Sequence, residues 1–134
     1  MHRKQINPEI MLKIKQRILE ALTDYLKGKG YKKFRSDLES MEKTNKIVSE
    51  ETKKEYHPDL TARYLDGKFL FEIEIADEPD EETLVEKCRV LSEAAEKLNG
   101  KLNLVVPVET YDKILQILNA NKLENIGLLQ INMK

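Results

Sequence analysis

The sequence has little of several features on which other protein classes depend. One cysteine among 134 residues excludes an internal disulfide and favours a reducing, cytoplasmic compartment. No apolar run approaches the ~20 residues of a membrane-spanning helix, and the first ten residues hold no apolar segment typical of a signal peptide. No low-complexity tract or long Pro/Gly linker divides the chain. We therefore expect one soluble domain over residues 1–134, without a membrane partner.

Familiar catalytic and cofactor patterns are also missing. The chain has no phosphate-binding glycine loop, no Cys/His spacing suited to zinc and no Ser/His/Asp arrangement. The single thiol, Cys88, shares a helical stripe with Leu84 and Leu91. We assign it to the hydrophobic core and not to nucleophilic catalysis.

Charged residues are abundant but unevenly distributed. They make up 35% of the chain, with a net charge of -1. Residues 1–36 hold ten Lys/Arg against three Asp/Glu, whereas residues 71–98 hold three against ten. The near-neutral total argues against a uniformly basic nucleic-acid coat protein. The basic segment is suited to phosphates, although solvated helix faces explain both segments equally well.

Hydrophobic spacing predicts alternating helices and strands. Asn7-Pro8 begins a helix that ends near Gly28. Asp66-Gly67 lies between two alternating runs, residues 56–65 and 68–76, and predicts a β-hairpin. The other expected elements are strands within residues 31–55, a helix over 80–98, a strand over 102–108, a helix over 110–119 and a strand over 125–131.

The predicted hairpin contains three acidic residues, although acidic residues are poor strand formers. A two-residue Asp66-Gly67 loop sets the register of the two strands. It predicts the opposed pairs Leu60–Ile73, Thr61–Glu72 and Asp59–Glu74. Asp59, Glu72 and Glu74 then share one face of the sheet. Because opposed like charges are destabilising, three explanations stay open: a solvated face, a protonated carboxyl, or a bound divalent cation such as Mg²⁺.

The order Pro58-Asp59, hairpin, Glu72-Ile73-Glu74 resembles the PD-(D/E)XK nuclease superfamily. The stretch LNLVVPVET and its following helix are similar to a small prokaryotic group whose second motif ends in Glu-x-Glu. The resemblance implies a restriction-endonuclease-like core (αβββαβ) with a mixed central sheet flanked by helices. An additional helix and strand would follow at the C-terminal end. It also implies a nuclease that hydrolyses phosphodiester bonds in DNA with Mg²⁺ or Mn²⁺.

By this resemblance, Asp59 and Glu72 are the metal ligands, and the backbone carbonyl of Ile73 is a third. Glu74 occupies the place of the usual lysine, so the chain departs from the family's pattern there. A glutamate there can hold a second cation or accept a proton from water, but it cannot stabilise negative charge. Lys87, on the following helix, is a candidate replacement for the lysine. A solvated helix lysine is the alternative.

Basic residues provide candidate contacts to nucleic acid. Arg63 is expected on the carboxylate face, where it either binds a phosphate or neutralises Glu72. The other candidates, some of which serve only helix solubility, are Lys13, Lys15, Arg17, Lys27, Lys29, Lys32, Lys33 and Arg35.

Two rival functions stay open. The first is a nuclease-like fold that no longer cuts DNA and serves as a binding or scaffold module. The second is a partner protein whose acidic helix, residues 80–96, docks on a basic surface. Dimers are common among similar nucleases, so a homodimer is an alternative to a monomer.

Overall fold

The computed structural model describes residues 7–36, 38 and 41–132. The expected domain of residues 1–134 extends beyond these ranges, and most of the segment examined for a signal peptide lies outside them. The elements are α1 (Pro8–Gly28), β1 (Lys32–Ser36), β2 (Ile47–Val48), β3 (Glu55–Tyr56), β4 (Leu60–Tyr64), β5 (Gly67–Ile73), α2 (Glu81–Lys97), β6 (Leu102–Pro107), α3 (Tyr111–Ala120) and β7 (Ile126–Ile131). None of the described helices is long and apolar enough to cross a membrane.

Five strands form a mixed sheet in the order β1-β4-β5-β6-β7. The pairs β1/β4 and β4/β5 are antiparallel, whereas β5/β6 and β6/β7 are parallel. The two parallel connections pass through α2 and α3, as such crossovers require. The short strands β2 and β3 form a separate antiparallel pair. The α/β class and the mixed sheet flanked by helices are therefore confirmed.

The sheet has an apolar layer on each face. Because side chains alternate along a strand, neighbouring residues of β5 and β6 enter different layers. One layer, against α1, contains Leu19, Leu22, Leu26, Leu60, Phe71, Ile73 and Val105. The other, against α2 and α3, contains Leu70, Leu84, Cys88, Leu91, Leu102, Leu104 and Ile114. The central strands are buried on both sides, as expected for parallel strands between helices.

A side-chain N-cap is present at the start of α1 but not at the start of α2. The Asn7 side chain accepts the backbone N–H of Glu9 at 2.8 Å, and Pro8 occupies the first turn of α1. Before α2, the Asp80 carboxylate accepts the Thr83 hydroxyl and does not cap a backbone N–H. The predicted stripe of Leu84, Cys88 and Leu91 is buried in α2.

The hairpin differs from its predicted register. Tyr64 pairs with Gly67, and Leu60 pairs with Phe71 instead of Ile73. The turn residues are therefore Leu65 and Asp66, and Leu65 adopts a positive φ of 52°. Gly67 lies within β5, where the carbonyl of Asn99 packs so closely against it that an added Cβ would clash with that oxygen. Close packing, and not the turn conformation, accounts for this glycine.

In the observed register the residues paired across the hairpin differ from those predicted, but each side chain keeps its predicted face of the sheet. The paired positions move by two residues, so the alternation of side chains between the faces is preserved. Extending the ladder by one residue brings Asp59 opposite Glu72, where Glu74 was predicted. The two predicted metal ligands are therefore closer neighbours than the sequence indicated.

Candidate functional site

Two buried carboxylates form the centre of the candidate site. Asp59 precedes β4 and is 8% exposed, and Glu72 near the end of β5 is 5% exposed. Glu72 Oε1 accepts the backbone N–H of Asp59 at 2.9 Å, and Asp59 Oδ2 accepts the backbone N–H of Ile73 at 2.8 Å. These reciprocal hydrogen bonds fix the orientation of both carboxylates.

A lysine from each helical layer approaches the remaining carboxylate oxygens. Lys87 Nζ of α2 lies 3.1 Å from Glu72 Oε2, and Lys15 Nζ of α1 lies 3.7 Å from Asp59 Oδ1. The Lys15 side chain is 37% exposed and the Lys87 side chain 23% exposed. The acidic pair is thus flanked by positive charge from both sides of the sheet.

Glu74 joins this arrangement through Lys87. Its Oε2 lies 3.5 Å from Lys87 Nζ, so one ammonium group bridges Glu72 and Glu74. Within the described ranges, no three His, Cys, Asp or Glu side chains are grouped so as to hold a metal ion. Ile73, expected to offer its carbonyl, donates its N–H to Asp59.

The electrostatics of the site centre on Glu72. Burial and the neighbouring charge of Asp59 raise the pKa of Glu72 to about 7, although Lys87 acts in the opposite direction. Burial alone lowers the pKa of Lys87, but Glu72 and Glu74 more than offset this and raise it above its ordinary value. Lys87 is therefore a permanent cation at neutral pH.

The basic residues predicted to contact nucleic acid do not lie together in the structure. Lys13 and Arg17 are exposed on α1, and Lys32 and Lys33 are exposed on β1. In the described part of the chain none of these four makes an ion pair, and the structure does not bring them to the acidic pair. Arg35 is held by Glu42, with Nη2 to Oε2 at 3.2 Å, and by Asn45.

Arg63 does not neutralise Glu72. The register places it opposite Lys68 at the turn end of the hairpin. Glu72 is neutralised by Lys87 instead.

The contact of Lys15 with Asp59 was also not foreseen. Lys15 was one of eight basic candidates with the same local pattern, and only the packing of α1 on the sheet distinguishes it. No sequence signal marks it.

Comparison with protein-family models, with curated proteins and with solved structures gives no match to this chain.

Proposed function

We propose that this protein is a phosphodiesterase that hydrolyses DNA with a divalent cation, Mg²⁺ or Mn²⁺, held by Asp59 and Glu72. The observation that carries the proposal is the reciprocal hydrogen bonding of these buried carboxylates, which accept the backbone N–H groups of Asp59 and Ile73. Two adjacent buried carboxylates are unfavourable for folding alone. A site for a cation gives a reason for the pair to exist.

The donor set fits the proposed cation. Mg²⁺ prefers one or two carboxylates, and takes its remaining oxygens from water and from substrate phosphate. The absence of a third acidic side chain beside the pair, in the ranges that the structure describes, is compatible with this preference. The carbonyl of Ile73 is the proposed third protein ligand. The element order α1-β1-β4-β5-α2-β6 supports, as part of the proposal, a restriction-endonuclease-like core.

When bound, the cation supplies positive charge that lowers the pKa of a water molecule and offsets charge on phosphate oxygens. In the proposed hydrolysis, a water oxygen attacks phosphorus, the bond to the leaving oxygen breaks, and that oxygen takes a proton from a solvent water molecule. Glu74 takes the proton from the attacking water. Lys87 remains protonated beside both glutamates, so its role is electrostatic and not that of a base.

A calorimetric titration tests the cation site directly. We expect Mn²⁺ to bind the wild type with measurable heat, and Asp59→Asn to abolish it while keeping an oxygen for the Ile73 N–H. The matched control is Glu82→Gln, in the exposed first turn of α2, which is expected to bind like the wild type. Equal heats for wild type and Asp59→Asn would remove the cation site.

Activity is a separate measurement. With Mg²⁺, the wild type is expected to cut at least one of single-stranded, duplex and branched DNA, and Asp59→Asn is expected to cut none. The loss of one ligand should lower the rate at least 100-fold. Cleavage that is equal in the two proteins would contradict the assigned role of Asp59.

One observation favours a second candidate, a nuclease-like module that binds DNA without cutting it. Lys87 already bridges Glu72 and Glu74, so positive charge is provided without a metal. This candidate predicts DNA binding with no Mn²⁺ heat and no cleavage of any of the three DNA forms.

A further inference from the structure

The acidic pair presents two oxygens that its reciprocal hydrogen bonds do not use. Those bonds occupy Glu72 Oε1 and Asp59 Oδ2, so Glu72 Oε2 and Asp59 Oδ1 are the oxygens assigned to the proposed cation. Lys87 Nζ lies 3.1 Å from Glu72 Oε2, and Lys15 Nζ lies 3.7 Å from Asp59 Oδ1. An ammonium group therefore lies beside each oxygen that Mg²⁺ or Mn²⁺ would take.

The two lysines are held with different strength. Lys87 contacts both Glu72 and Glu74, the second with Nζ to Oε2 at 3.5 Å, and its side chain is the more buried of the two. The contact of Lys15 with Asp59 is longer than the ~2.7–2.9 Å of a charge-assisted hydrogen bond. In the described ranges Lys15 pairs with no other acidic residue. Lys15 is therefore the lysine that can turn into water at low cost, whereas Lys87 stays in place.

The charges at the site favour a divalent ion over a monovalent one. Ligand carboxylates bind a cation in their ionised form, and the carboxylates of Asp59, Glu72 and Glu74 then face two ammonium groups. One negative charge is left without compensation. A monovalent ion that replaced Lys15 would leave this imbalance as it is, whereas a divalent ion would remove it. The exchange of Lys15 for a cation is therefore favourable only when the cation carries two charges.

We propose that Lys15 determines which cations the site accepts: its ammonium group compensates Asp59 until a divalent ion replaces it and Lys15 turns into solvent. This inference rests on the proposed function, because it states how the same site admits its cation. Lys87 remains beside Glu72 in both states. Lys15 acts through charge and touches neither the bound cation nor the reacting atoms, so it is a specificity-determining residue and not a catalytic one.

Replacement of Lys15 tests the exchange with Mn²⁺ alone, in the absence of DNA. Lys15→Gln removes the competing ammonium group, so calorimetry in about 10 mM tetramethylammonium chloride should show Mn²⁺ binding roughly tenfold tighter than to the wild type. Lys15→Arg keeps the charge and should bind like the wild type. The matched control, Lys13→Gln, removes an exposed lysine of α1 that makes no ion pair in the described ranges, and it should also bind like the wild type.

Salt provides a readout that a merely structural role of Lys15 would not change. The Lys15 contact is partly exposed, so raising tetramethylammonium chloride from about 10 mM to about 1 M weakens it by shortening the screening length from ~30 to ~3 Å. The affinity advantage of Lys15→Gln should then shrink. At equal ionic strength, NaCl in place of tetramethylammonium chloride should weaken Mn²⁺ binding to Lys15→Gln roughly twofold by competition. The wild type should not respond, because only the variant admits a monovalent ion.

Thermal unfolding in EDTA shows that any gain in affinity belongs to a folded variant. An ion pair as exposed as that of Lys15 contributes little to stability, so Lys15→Gln should melt close to the wild type. At one Mn²⁺ concentration, the rise in melting temperature should be larger for Lys15→Gln, because tighter binding to the folded state stabilises it more.

The outcomes separate this inference from the proposed function. Mn²⁺ heat in the wild type, with unchanged or weaker binding to Lys15→Gln, would overturn the role of Lys15 and keep the cation site. An equal effect of NaCl on the two proteins would also overturn that role. No heat in either protein would remove both proposals. Heat in Lys15→Gln alone, abolished by adding Asp59→Asn, would support the role of Lys15 and remove cation-dependent hydrolysis from the wild type.

Discussion

At the scale of single residues, Glu72 is where burial and like charge act most strongly in the candidate site. Its side chain is buried, and its Oε1 accepts the backbone N–H of Asp59. Burial and the Asp59 charge together raise its pKa to about 7 from an ordinary 4.5. The folded protein therefore favours the protonated form of Glu72, and folding is linked to pH through this residue.

The pH dependence of stability follows from the sign of that shift. A raised folded-state pKa stabilises the fold fully below pH 4.5, and this contribution is lost as pH rises through about 7. We expect the free energy of unfolding of the wild type to fall by roughly 3 kcal/mol over this window relative to Glu72→Gln. Urea denaturation in EDTA at several pH values measures the difference, and a constant difference would contradict the shift.

The proximity of Asp59 and Glu72 was predictable, whereas their lysine partners were only partly so. Side-chain alternation puts both carboxylates on one face in the predicted register and in the observed one. Lys87 was a candidate only through the family resemblance, and a solvated helix lysine was the alternative. Lys15 was not predictable, because its contact depends on how α1 packs across the other face of the sheet.

At the scale of elements, the hairpin shows why turn patterns can mislead. Asp-Gly favours a two-residue loop because glycine readily adopts positive φ. In this chain Leu65 adopts that conformation at the turn, and it is 84% exposed. Gly67 is instead required inside β5 by the Asn99 carbonyl, which follows α2. A contact between residues 32 positions apart in the chain outweighs the local pattern.

Replacement of Gly67 tests this explanation. Gly67→Ala places a Cβ 2.2 Å from the Asn99 carbonyl oxygen, so β5 or the end of α2 must shift. We expect a loss of about 1–3 kcal/mol in the free energy of unfolding, measured by urea denaturation. Gly28→Ala is the control: no atom lies within 4 Å of its Cβ, and alanine in a helix should raise stability by about 0.4–1 kcal/mol. Equal effects of the two substitutions would show that packing at Gly67 is unimportant.

The longer elements were predictable because their apolar spacing is regular. α1, α2, α3, β6 and β7 lie within two residues of their expected bounds. Residues 31–55 gave weaker signals, and β2 and β3 have only two residues each. Their apolar residues Ile47 and Tyr56 are explained by packing against the α2 layer, which local spacing does not reveal.

At the scale of the whole molecule, one sheet serves two apolar layers. Val105 contributes to the α1 layer, while its neighbours Leu104 and Val106 contribute to the α2 and α3 layer. Neither layer is able to open without exposing one side of β6. The two layers are therefore expected to unfold together.

Cavity-forming substitutions in the separate layers test this coupling. Phe71→Ala in the α1 layer should reduce the free energy of unfolding by about 3–5 kcal/mol, and Leu91→Ala in the α2 layer by about 2–5 kcal/mol. Both should keep a single transition, with helix circular dichroism and tyrosine fluorescence coinciding. Val48→Ala, at a 45% exposed position, should change stability by less than about 0.5 kcal/mol. Two separated transitions in either core variant would indicate independent layers.

The convergence of Lys15 and Lys87 on the acidic pair has a consequence for fragments of the chain. Asp59 draws counter-charge from α1, and Glu72 draws it from α2. A peptide that contains only the hairpin keeps both acids and loses both ammonium groups. The positive charges that pair with Asp59 and Glu72 therefore come together only in the folded protein. The shortest segment of the chain that contains both lysines and both acids runs from α1 through α2.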